Sequence, residues 1–195
     1  MNGRPTPEHV VAEIYALFAR QGAANYSGEP VTQLAHALQT AQRAERDHAD
    51  RATVVAAFLH DIGHLLPAEH PDDHMDELGR VDHDLLGANW LAERGFPPTV
   101  TQVVRHHVEA KRYLVAKYAD YALNLSAASR QTLARQGGPM TPADVQDFEE
   151  HPLFLPIIQV RRYDEAAKVA GLPTPTLDDY VACCLTLLRQ HAASR

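Results

Sequence analysis

Residues 51–62 carry Val54, Val55, Ala57, Phe58 and Leu59 and run directly into His60-Asp61-Ile62-Gly63-His64. Read as a helix, this stretch is too apolar to lie on a surface, so other helices have to surround it. The rest of the sequence supplies them. Val10, Val11, Ile14, Leu17 and Phe18 predict a helix over 7–20, with Pro7 suited to its first turn. Thr32 is placed to cap a helix that runs to about residue 46, with Leu34, Ala35, Leu38 and Ala41 facing one way. Further helices are expected over 81–94 (closed by Gly95 and Pro97), over 98–117, over 126–135 with Ser126 as cap, from Thr141-Pro142 onward, over 154–170 and over 176–193. Residues 21–30, the Pro67 and Pro71 region and the QGGPM segment read as breaks, and strand signals are scarce. The expected fold is all-α, a compact orthogonal helical bundle. With 195 residues, no composition shift and no internal repeat, a single domain over 1–195 is expected.

A net charge of −7 argues against a nucleic-acid or anionic-membrane surface. It leaves room for an anionic small substrate, because bound metal ions add local positive charge. Cys183 and Cys184 are adjacent, poorly placed for an ordinary disulfide, and read as buried core thiols. No signal peptide and no apolar run of membrane-spanning length is evident, so a cytoplasmic location is expected.

The chain has 12 histidines, and histidine is the commonest metal ligand. His9, His48, His70, His74 and His191 stand in polar or terminal context and read as solvated, and His151, before Pro152, reads as a loop residue. Taken alone, His60-Asp61 is open to bland readings, a capping Asp or a solvated His. The apolar helix before it argues for a buried site, as do His36 on an earlier helix, His83 and His107 on later ones, and Asp164 near the end. Adjacent His60 and Asp61 at a buried helix end can converge on one metal, while the second Asp61 oxygen is free to bridge to another. His64 is expected one turn beyond His60, lining the site. Four imidazoles with two carboxylates suit a redox-capable metal such as iron better than magnesium or calcium.

The order His36, His60-Asp61, His83, His107, Asp164 resembles the HD-domain superfamily in its six-ligand form. The longer matches resemble one group within it, the diiron oxygenases that cleave 1-hydroxyphosphonates. They include Tyr26 to Glu29, Gln33 to His36, HDIGH, HVEAKRYLV from His107, the Ser126 to Thr132 region, QGGPM, and Arg161-Arg-Tyr-Asp164. The resemblance implies one iron on His36, His60, Asp61 and Asp164 and another on Asp61, His83 and His107. It implies a mixed-valent iron pair with dioxygen as co-substrate. Lys111 and Arg161 would neutralise the phosphonate, with His64, Ser129 and Thr132 donating hydrogen bonds. Tyr26 would cover an open iron position until substrate arrives, and Glu29 would read the substrate's amino end. Both basic residues stand one turn from a ligand, Lys111 after His107 and Arg161 before Asp164.

The implied reaction is oxidative C–P bond cleavage. It gives phosphate with glycine betaine from the trimethylammonio substrate, or with glycine from the amino substrate. A quaternary ammonium calls for aromatic faces, and Tyr26, Tyr113, Tyr121 and Tyr163 are candidates for such a cage, which favours the trimethylammonio compound. A metal-dependent phosphohydrolase is the alternative enzyme, and a metal-dependent binding module a third reading.

Overall fold

The computed structural model describes residues 4–26, 28–67 and 82–194. His70, His74 and Pro71 lie outside the described residues. Those residues form ten helices and no strand: α1 (Pro7–Gln21), α2 (Gln33–Arg46), α3 (Arg51–Leu59), α4 (His83–Glu93), α5 (Pro98–Lys117), α6 (Ala119–Asn124), α7 (Ala127–Arg135), α8 (Pro142–Glu149), α9 (Phe154–Ala166) and α10 (Leu177–Ala193). No described helix is long and apolar enough to cross a membrane.

Most helix starts follow from side-chain caps. Thr6, Thr32, Asp50, Ser126, Thr141 and Thr176 each accept a hydrogen bond from the backbone N–H three residues on. Thr141 with Asp144, and Thr176 with Asp179, complete reciprocal capping boxes.

The apolar helix α3 is the axis of the bundle. Every residue from Thr53 to Leu59 is buried, and α2, α5, α9 and α10 all pack on it. Phe58 stacks between Phe18 at 4.9 Å and Tyr180 at 5.4 Å, which ties α1 and α10 to this axis. Full burial of a side chain such as Phe58 stabilises the fold by roughly 1.5–3 kcal/mol.

Two helix ends and one added helix differ from expectation. The α-helix stops at Leu59 rather than running through 62, and Ile62–Leu65 forms a tighter 3-10 turn. Asp61, at φ −102 and ψ 12, has already left helical geometry. His64 therefore does not sit one α-helical turn above His60. The late helix ends at Ala166 rather than 170, and the short α6 was not anticipated. Cys184 is buried, whereas Cys183 is only half-buried, and both are free thiols. His9 and His48 are exposed as expected, while His191 is half-buried and His151 lies 4.8 Å from the His106 ring.

Candidate metal centre

The expected ligands arrive from five separate elements. His36 comes from the first turn of α2, His60-Asp61 from the end of α3, His83 from the first residue of α4, His107 from mid-α5 and Asp164 from α9. All six are buried. They form two groups, His36, His60 and Asp164 in one, Asp61, His83 and His107 in the other.

Asp61 faces both groups, with one oxygen for each. Its Oδ2 lies 3.2 Å from His60 Nε2 and 3.6 Å from His36 Nε2. Its Oδ1 lies 3.4 Å from His83 Nε2 and 3.4 Å from His107 Nε2. Asp164 Oδ1 closes the first group, 3.3 Å from His36 Nε2 and 3.9 Å from His60 Nε2.

The tautomers can be read from the backbone. The Nδ1–H of His36 donates to Ala167 O at 2.9 Å, that of His60 to Ala57 O at 2.8 Å, and that of His107 to Val104 O at 2.7 Å. In a neutral ring the remaining nitrogen, Nε2, then presents a lone pair. Yet His36 and His60 bring their Nε2 atoms within 3.2 Å of each other. Two lone pairs at that distance need a cation between them. Burial lowers the His60 pKa, but the Asp61 and Asp164 carboxylates outweigh it and raise it to about 9. The two carboxylates thus favour positive charge at this nitrogen, which a metal ion also supplies. Asp61 Oδ2 and Asp164 Oδ1 are buried and accept no hydrogen bond, a costly state that a cation relieves. Burial favours the neutral acid at both, yet the facing imidazoles for Asp61, and Arg161 for Asp164, hold both carboxyls well below the usual range. Donors about 2.1 Å from a common ion stand about 3.0–3.4 Å apart, close to the separations seen in both groups. The residues present fit a pair of metal ions with Asp61 as the shared ligand.

His106 points elsewhere. It pairs with Glu109 through Nδ1 and donates from Nε2 to Gln102 Oε1 at 3.1 Å, so of the two adjacent histidines only His107 enters the site.

Gly63 explains how His83 reaches its place. A Cβ on Gly63 would stand 1.9 Å from the His83 carbonyl oxygen, so the 3-10 turn and the start of α4 touch backbone to backbone. His64, from the same turn, stacks on the His83 ring at 3.9 Å. Burial lowers the His64 pKa to about 4, so it is a neutral imidazole and not a cation at neutral pH.

A pocket opens beside the two groups. Tyr26, Glu29, His64, Lys111, Ser129, Thr132 and Arg161 line it together with Asp61, His83, His107 and Asp164. Every expected site residue except His36 and His60 is on this wall, and those two lie directly behind it. Tyr26 lies face to face on the His36 ring at 3.9 Å. Burial, and then the Asp61 and Asp164 carboxylates, push its hydroxyl well above the usual tyrosine range. The loop that carries Tyr26 and Glu29 is pinned by Tyr26 N–H to Val31 O, by Glu29 N–H to Tyr26 O, and by a left-handed Gly28. A Cβ on Gly28 would stand 3.0 Å from Ala128 Cβ, so the loop lies against α7.

Lys111 Nζ donates to Thr132 Oγ1 at 2.8 Å. Burial, then the nearby Arg161, lowers its pKa to about 7. Arg161 is more engaged than expected. It donates to Tyr121 Oη at 2.9 Å, to Asp164 and to Glu165. Three of its five N–H groups are used, which leaves two for a ligand.

The aromatic cage does not form. Only Tyr26 among the four candidate tyrosines lines the pocket. Tyr121 holds Arg161, Tyr113 packs on Phe148 and Phe154 and donates to Glu149, and Tyr163 is buried in the core, where burial and then the Asp47 carboxylate push its hydroxyl up.

Sequence reasoning missed three contributors, Gln136, Glu165 and Lys168, and cast Tyr121 as a cage member rather than as the partner of Arg161. Gln136 lines the pocket and its Oε1 is buried without a hydrogen-bond partner. Glu165 and Lys168 extend Arg161 and Asp164 into a charged row at helical spacing (i, i+3, i+4, i+7), which was a readable signal.

Comparison with known proteins agrees with this geometry. The HD domain matches residues 33–141. The chain belongs to the HD-domain family. Asp164 and Arg161 lie beyond the matched segment and are joined to the site by the packing of α9 on α2, α3 and α5. A [1-hydroxy-2-(trimethylamino)ethyl]phosphonate dioxygenase (glycine-betaine-forming) of Leisingera caerulea is 43% identical over 183 residues, 94% of this chain and 92% of that protein. A hydroxymethylphosphonate dioxygenase of Gimesia maris is 41% identical over 183 residues, 92% of this chain and 90% of that protein. An uncharacterized protein of Acanthamoeba polyphaga mimivirus is 39% identical over 170 residues, 87% of this chain and 78% of that protein.

Proposed function

We propose that this HD-domain protein is a dioxygenase that cleaves the C–P bond of a small 1-hydroxyphosphonate, using two iron ions. The observation that carries this reading is Asp61, which aims one oxygen at each of two histidine-rich ligand groups beside a pocket with two basic side chains. The relatives from Leisingera caerulea and Gimesia maris support it by what they act on.

Bound between these ligands, a pair of irons supplies the redox capacity that dioxygen chemistry requires. The chain's own residues do the rest. Lys111 and the two free N–H groups of Arg161 supply positive charge and directed donors for a phosphonate dianion. Thr132, Ser129 and the neutral His64 add hydrogen bonds. Holding the phosphonate on this wall brings the adjacent hydroxyl-bearing carbon toward the ligand groups. Tyr26, stacked on His36, covers the first group and keeps water and oxidant from it until substrate enters. In the overall reaction C1 is oxidised to a carboxylate, the C–P bond breaks, both atoms of dioxygen are taken up, and a proton is released with phosphate.

Glu29 offers a counter-charge to a cationic substituent, either ammonium or trimethylammonium. Support for the trimethylammonio compound rests on Glu29 and on the Leisingera caerulea relative, since the cage of tyrosines is absent. The test is phosphate release by iron-loaded protein in air from three substrates: the trimethylammonio, the amino and the hydroxymethyl compounds. Release from at least one of them, but not from a phosphomonoester, is expected. Hydrolysis of the phosphomonoester alone would return the protein to the phosphohydrolases.

A further inference from the structure

Glu29 does not reach the pocket wall alone. Lys168, just past the end of α9, places Nζ 3.2 Å from Glu29 Oε1. The same ammonium donates to Glu165 Oε1 at 3.0 Å, Ser129 Oγ at 3.0 Å and Ser126 Oγ at 3.3 Å. Both members of the Glu29–Lys168 pair are shielded, with side chains 8% and 11% exposed. The pair is ionic rather than well aligned, because Glu29 Oε1 makes no hydrogen bond of good geometry.

This arrangement has a consequence for substrate choice. Glu29 is the pocket carboxylate placed for a cationic substituent, and its charge is already matched. A substrate ammonium gains Glu29 only as far as Lys168 gives it up. Lys168 can do so without being stranded, because Glu165 and two serine hydroxyls remain as its partners. An uncharged substituent leaves the pair intact.

We propose that Lys168 is a specificity-determining residue. By holding Glu29, it narrows the advantage that a cationic substituent has over a neutral one. The inference rests on the hydroxyphosphonate reading of the pocket. It concerns the charge of the substituent and not the cleavage step.

Binding of two unreactive probes tests it. 2-Aminoethylphosphonate and propylphosphonate share the phosphonate and the chain length and differ in the terminal ammonium. Neither has the 1-hydroxyl, so calorimetry reads affinity without turnover. Lys168→Met is expected to shift the affinity ratio toward the ammonium probe by about tenfold. In a Glu29→Gln background the same substitution is expected to move the ratio by less than about twofold. Loosening of the loop weakens both probes together and leaves the ratio unchanged, so the ratio isolates the charge effect. An unchanged ratio in Lys168→Met, with both probes bound by the wild type, overturns the role of Lys168 alone. Failure of the wild type to bind either probe contradicts the hydroxyphosphonate reading, and this proposal with it.

Discussion

Asp61→Ala is expected to lower bound iron from two ions per chain to one at most. Phosphate release is expected to fall by about a thousandfold or more. Among the described residues, Asp61 is the one side chain that addresses both ligand groups, Oδ2 toward His36 and His60, Oδ1 toward His83 and His107. Alanine also strips the four imidazoles of the carboxylate that faces them all. The His60 pKa, raised to about 9 chiefly against burial by Asp61, then falls, and its lone pair is left facing that of His36. Asp164→Ala gives the contrast, because Asp164 reaches only the first group. It is expected to impair that group and leave Asp61, His83 and His107 in place. Metal analysis of both variants, with circular dichroism to confirm the fold, checks the pair. Two irons retained by Asp61→Ala would argue that the groups are held independently.

Gly63→Ala is expected to damage the second ligand group selectively. The added methyl would stand 1.9 Å from the His83 carbonyl oxygen and 2.7 Å from its carbonyl carbon. These are backbone atoms, so no side-chain rotation relieves the overlap. The start of α4 has to move, and His83 with it. Overpacking of this kind costs roughly 1–3 kcal/mol or more. The His36, His60 and Asp164 group lies on α2, α3 and α9 and does not depend on this contact. The variant is therefore expected to melt at a lower temperature and to bind one metal rather than two. A variant with unchanged metal content would show that α4 can slide without displacing His83.

The members of the two buried groups were legible because residues of this chemistry need a reason to be buried together. His36, His60, Asp61, His83, His107 and Asp164 are rare residue types at buried helical positions, and such positions need a reason. Helix starts were legible for a similar reason, since Thr32, Ser126 and Thr141 announce their caps locally. The end of α3 was not. Periodicity alone carries the apolar run through Ile62, whereas the turn after Leu59 is imposed by α4 lying against Gly63, a contact between distant segments. The tyrosine cage failed on the same ground. Composition counts tyrosines, but which face each one takes depends on partners such as Glu149 for Tyr113 and Arg161 for Tyr121. The pairing of Lys168 with Glu29 was not readable, because Glu29 stands far away in the chain, on a loop whose position follows from the approach of Gly28 to Ala128.

The central claim is that Asp61 joins two irons into an oxygen-using centre for C–P cleavage. Its most direct test follows oxygen consumption and phosphate release together, in iron-loaded protein given a 1-hydroxyphosphonate that it turns over. Equal amounts of oxygen consumed and phosphate released are expected, with no phosphate when oxygen is excluded. Phosphate released at the same rate without oxygen would contradict the account.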